Sequence, residues 1–130
     1  MKIIIDAMGG DNAPQVPVEA GVKAAKQLGI EVVLVGKEDV IRKEAEKYDY
    51  HGSNVTIVNA DEVITNHEEP AKAVRSKKNA SIVVAANMLK NGEGDALLSM
   101  GNTGAILASG LLIVGRLKGI LRPALATLLP

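Results

Sequence analysis

Short apolar runs alternate along the chain with stripes of helical spacing. Ile3, Ile4 and Ile5 form a β-branched run closed by Asp6, the pattern of a strand buried on both faces. After a polar, turn-forming stretch from Gly9 to Pro14, Val18, Val22, Ala25 and Leu28 recur every three or four residues. This predicts a helix with one apolar face, ended by Gly29. Val32 to Val35 predicts a second strand closed by Gly36. Val40, Ile41, Ala45 and Tyr48 mark a second helix, and Val55 to Val58 a third strand. Pro70, preceded by Glu68 and Glu69, suits the first turn of a helix. Ile82, Ala85, Ala86 and Leu89 make the stripe of another, ended by Asn91 and Gly92. A fourth strand is expected from Asp95 to Ser99. A helix capped by Asn102 or Thr103 follows from Gly104 to about Leu117, and a fifth strand from Ala124 to Leu129.

This order predicts a doubly wound α/β fold: a mainly parallel sheet with helices on both faces, an α/β/α sandwich. The 130 residues read as a single domain, 1–130, without internal repeat or linker. An apparent buried strand running to the last residues lacks a covering element. The chain is therefore expected to be the N-terminal part of a longer protein with its sheet incomplete.

Composition removes several classes of function. Fifteen basic side chains balance fifteen acidic ones, so bulk charge gives no reason to expect nucleic-acid binding. Phe and Trp are absent, which leaves no base-stacking platform. Without cysteine there is no thiolate nucleophile and no disulfide, and with only His51 and His67 a zinc site has almost no ligands; no metal and no cofactor are expected. The N-terminus does not read as a signal peptide, and the longest apolar stretch, Ala105 to Gly115, is well short of the roughly 18–20 residues that span a bilayer. A cytoplasmic protein is expected.

Ligands of open α/β sheets bind outside the carboxyl ends of strands, at the point where strand order reverses. In the commonest order the first and fourth strands are neighbours, so their loops share a crevice. The loop after strand four, Ser99 to Gly104, offers Gly101 and Gly104 for close backbone approach. Ser99, Asn102 and Thr103 add short hydrogen-bonding groups at a helix start that favours anions. The loop after strand one, Asp6 to Asn12, places Gly9 and Gly10 together, a backbone concavity suited to anions, beside Asp6 and Asp11. Both loops also read as ordinary capped turns. Arg75, Lys77 and Lys78 form a basic cluster near a helix end, where cations are favoured in any case. No GxGxxG follows strand one, and His51 and His67 fall in polar loops with no role assigned.

Several of these segments occur together in a known order. Ile5 to Asp11 reads IDAMGGD. Asn59 to Glu62 reads NADE, and Ala73 to Arg75 and Lys77 to Asn79 follow it. Ser99 to Ala105 reads SMGNTGA, and Arg122 to Ala124 reads RPA. Over the whole chain they closely resemble the bacterial phosphate acyltransferases of phospholipid synthesis, the PlsX family. The resemblance implies transfer of a long-chain acyl group from acyl carrier protein to inorganic phosphate, giving acyl phosphate. It also implies a large α/β/α domain, a homodimer, and peripheral association with the membrane. Gly9, Gly10, Asp11, Gly101, Asn102, Thr103 and Gly104 are then expected to hold phosphate. Arg75, Lys77 and Lys78 are expected to attract phosphate or carrier protein. Asp6 and Asn102 are the best catalytic candidates in the chain, with further catalytic cations and the acyl groove expected beyond residue 130. The isolated chain is expected to be inactive or poorly folded. Two alternatives stand beside this reading: a phosphotransacetylase-like enzyme using acyl-coenzyme A, and a non-catalytic phosphate-binding module.

Overall fold

The computed structural model describes residues 1–126. Strands β1 (Lys2–Asp6), β2 (Glu31–Gly36), β3 (Val55–Asn59) and β4 (Ala96–Leu98) form one sheet in the order β3-β2-β1-β4. All three pairings are parallel, with Ile5 opposite Leu34 on one side and opposite Leu98 on the other. The helices are α1 (Gln15–Leu28), α2 (Glu38–Ala45), α3 (Pro70–Ser76), α4 (Ser81–Lys90) and α5 (Thr103–Ser109).

The β-branched runs explain the sandwich. Successive side chains of a strand point to opposite faces, so a strand with helices on both sides must be apolar at every position. Ile5, Val32 and Leu34 pack with Val18, Val22 and Ala25 of α1 and Ile41 and Ala45 of α2. Ile4, Val33 and Val35 point the other way and pack with Ala85 of α4. A third cluster joins Ala73 and Val74 of α3, Ile82 and Val83 of α4, and Ala105 of α5. The doubly wound arrangement inferred from the alternation is the one observed.

Three details differ from the sequence expectations. Leu28 is 70% exposed. At 3.6 residues per turn it lies about 80° round the helix from Val18, on the flank of the buried stripe. The last helix is shorter than expected: α5 ends at Ser109, runs on as a π-helical turn over Gly110–Val114, and stops where Gly115 takes a φ of 98°. Of the expected fifth strand, residues 124–126 are not in strand conformation, and residues 127–130 lie outside the described residues. Among the described residues, no helix is long and apolar enough to cross a membrane.

Candidate functional site

Parallel pairing in this order brings the carboxyl ends of β1 and β4 side by side, as the loop argument required. Asp6 and Ser99 are the next residues in register. The Ser99 hydroxyl donates to Asp6 Oδ2 at 2.8 Å, the Met8 N–H donates to Asp6 Oδ1 at 3.2 Å, and the Gly101 N–H donates to Ser99 Oγ at 3.2 Å. One carboxylate thus ties both loops, and it is buried in doing so.

The glycines make the tie possible. A Cβ on Gly9 would stand 2.7 Å from Asp6 Oδ2, 2.8 Å from Ser99 Oγ and 2.9 Å from the Gly101 nitrogen. Gly10 has a φ of 102°, a region that side chains disfavour, and its Cβ would meet the Met100 carbonyl at 3.0 Å. The two loops therefore touch backbone to backbone.

A third segment completes the crevice. The connection leaving β3 passes from the far edge of the sheet over its carboxyl end before entering α3, as a crossover to β4 requires. Its residues Val63 to His67 face the two glycine loops. Together with Met8, Gly10, Asp11, Gly101 and Asn102 they line a cavity of about 240 Å³. Asn102 joins the walls: its Oδ1 accepts the Ala105 N–H at 3.0 Å, capping α5, and its Nδ2 donates to the Thr65 carbonyl at 3.1 Å. Both ends of the amide are used in the one orientation that satisfies them.

The residues singled out from the sequence separate into groups. Gly10, Asp11, Gly101 and Asn102 line the crevice, and Gly10 and Asp11 also face a smaller hollow on the other side of their loop. Asp6 and Gly9 lie behind the crevice wall and hold it. Thr103 is exposed at the opening of α5, where first-turn N–H groups lack intrahelical acceptors. Gly104 faces α3, since its Cβ would come within 2.6 Å of Pro70 Cγ.

Arg75 and Lys78 are exposed and line none of this cavity. Lys77 is engaged elsewhere, donating to the Val63 carbonyl at 3.0 Å and pairing with Glu68 at 2.7 Å. Sequence reasoning missed the Val63–His67 wall, including His67 itself. The available signal was that this loop also follows the carboxyl end of a parallel strand; what hid it was that β3 lies at the far edge.

Glu68 sits at about 2 rather than 4.5, first because Lys77 bonds its carboxylate and then because the Thr65 N–H does. A carboxylate with a lowered folded-state pKa adds stability above its ordinary pKa and loses it as pH falls through the folded value. Glu68→Gln is therefore expected to flatten the fall in stability between pH 4.5 and about 2, measured by denaturant titration across that window. An unchanged slope would contradict the ion pair.

A family model described as "Fatty acid synthesis protein" matches residues 1–130. The chain is 48% identical to a protein of Clostridioides difficile (strain 630) named "Phosphate acyltransferase", over 130 residues. It is 52% identical to one of that name from Dictyoglomus thermophilum over 130 residues, and 55% identical to one from Enterococcus faecalis over 132. Each match takes in 100% of this chain, which spans 38% or 39% of the length of these curated relatives.

Proposed function

The chain belongs to the fatty acid synthesis protein family, and from that membership we propose that the polypeptide carrying it transfers a long-chain acyl group from acyl carrier protein to inorganic phosphate. A phosphate oxygen attacks the thioester carbonyl, a C–O bond forms, the C–S bond breaks, and the carrier protein leaves as a thiol after protonation. Acyl phosphate is the product. Phosphate is itself the nucleophile, so the absence of cysteine is no obstacle. What the protein must supply is a held phosphate and stabilisation of the tetrahedral oxyanion.

The observation that carries the reading is the crevice, where two glycine loops interlock at neighbouring strand ends beside the start of α5. In this reading phosphate lies in the crevice against the backbone of Gly10 and Gly101, with Asp11 and Asn102 on its walls and Thr103 at the opening of α5, while Gly9 and Gly104 serve by letting the loops and α3 pack closely behind it. Asp6 acts by locking the loops. Arg75 and Lys78, exposed at the end of α3, draw in an acidic carrier protein. The whole protein works as a homodimer in the cytoplasm, associated peripherally with the membrane.

Thioester loss measured with long-chain acyl-carrier protein and with acyl-coenzyme A, each with and without phosphate, separates the alternatives. Phosphate-dependent loss with the carrier protein as preferred donor is the expected result. Preference for coenzyme A would point to phosphotransacetylase chemistry. Phosphate binding without loss of either donor would point to a non-catalytic module.

A further inference from the structure

The Val63–Glu68 segment has no regular structure, yet it forms one wall of the crevice and holds Asn102. It is stiffened from within. Glu68 Oε2 accepts the Thr65 N–H at 2.8 Å and the Thr65 hydroxyl at 3.1 Å, and the Glu68 N–H donates back to the Thr65 carbonyl at 3.3 Å. Lys77, from the end of α3, then clamps the loop at two points, the Glu68 carboxylate and the Val63 carbonyl. The Thr65 carbonyl fixed by this ring is the atom that accepts Asn102 Nδ2.

Lys77 and Glu68 side chains are 31% and 29% exposed, too sheltered to behave as a freely solvated surface pair. Among the described residues, both acceptors of the Lys77 ammonium belong to this loop, and Glu68 offsets its charge.

We propose that Glu68 and Lys77 form a brace that sets the position of the Thr65 carbonyl and, through it, the Asn102 side chain. They are positioning residues for the anion site rather than contacts with the anion. The proposal rests on the reading of the crevice as the phosphate site. It replaces the expectation that Lys77 meets phosphate or carrier protein directly.

The test uses the whole polypeptide that carries this sequence, with Lys77→Met, Lys77→Arg, Glu68→Gln and the Lys77→Met/Glu68→Gln pair. KM for phosphate and for acyl-carrier protein are measured, together with the nuclear magnetic resonance signal of the Asn102 side-chain amide. Lys77→Met and Glu68→Gln are each expected to raise KM for phosphate about tenfold, with KM for carrier protein within about twofold of wild type. The double variant is expected to be no worse than the poorer single one, because both remove the same brace. Lys77→Arg should recover most of the loss. The Asn102 amide signal should move in both single variants.

A direct lysine–phosphate contact predicts the opposite for Glu68→Gln: the freed lysine would leave KM for phosphate unchanged or lower it, and that result overturns the brace. If Lys77→Met does not fold, Glu68→Gln carries the test alone. If the wild type shows no phosphate-dependent turnover, the acyltransferase reading falls, and the amide signal still decides the brace. A signal that stays in place in Glu68→Gln overturns it, and one that moves supports it.

Discussion

Gly9→Ala is expected to lower kcat/KM for phosphate about a hundredfold, while the protein still folds. The added methyl has nowhere to go. It would meet the Asp6 carboxylate, the Ser99 hydroxyl and the Gly101 backbone nitrogen, all inside 3.0 Å. The Gly101 nitrogen is main chain and cannot turn aside as a side-chain end would. The loop after β4 must move away from the loop after β1. That movement lengthens the Ser99–Asp6 bond, which joins the two loops, whereas the Gly101–Ser99 bond lies within the loop after β4 and travels with it. Overpacking of this kind costs about 1–3 kcal/mol, which a domain with three buried apolar clusters should survive. Thermal melting alongside steady-state kinetics checks both parts. Full activity in Gly9→Ala would show that the loops need not touch.

Asn102 supports a second large effect, and two substitutions divide it. Asn102→Ala removes the cap on Ala105 and the bond to Thr65 together. Losing such a cap costs about 0.5–2 kcal/mol of stability. Asn102→Asp keeps an oxygen to accept the Ala105 N–H, so the start of α5 should be preserved. It removes the donor to Thr65 and puts a negative charge on the crevice wall. Asn102→Asp is therefore expected to keep the cap on α5 but to melt below wild type, because its second oxygen faces the Thr65 carbonyl, and to use phosphate worse than Asn102→Ala, by about a further tenfold, because like charges repel at short range. Equal phosphate use by the two variants would place the anion away from Asn102.

How far the sequence discloses this protein depends on the range of the interactions. Strand and helix identities are local. Ile3 to Ile5 and Val32 to Val35 have the pattern of strands buried on both faces, and the stripe of Val18, Val22 and Ala25 that of a helix packed on them. Gly29 was readable as the stop of α1, and it takes a φ of 64° with its N–H on the Ala25 carbonyl. The adjacency of β1 and β4 followed from the commonest topology of such sheets, and it put the two glycine loops in one place.

What escaped the sequence is long-range. The Thr65 carbonyl meets Asn102 across 37 positions, and no periodicity marks that pairing. Lys77 read as one member of a solvated basic cluster because its partners, Val63 and Glu68, stand in a loop without pattern. Asp6, a catalytic candidate from the sequence, has both carboxylate oxygens bonded by the two loops, and its tie to Ser99 spans 93 positions that no local pattern marks. The apolar stretch from Ala105 continues past Ser109 and so predicts a longer last helix than α5, because apolar content does not tell an α-helix from a π-helical turn.

The measurement that bears most directly on the account is phosphorus-31 magnetic resonance of inorganic phosphate incubated with long-chain acyl-carrier protein and the whole polypeptide carrying this sequence. The account predicts a new acyl phosphate signal growing in step with free carrier-protein thiol, at wild-type rate only when the glycine loops are intact. A folded protein that leaves the phosphate signal and the thioester unchanged would contradict it.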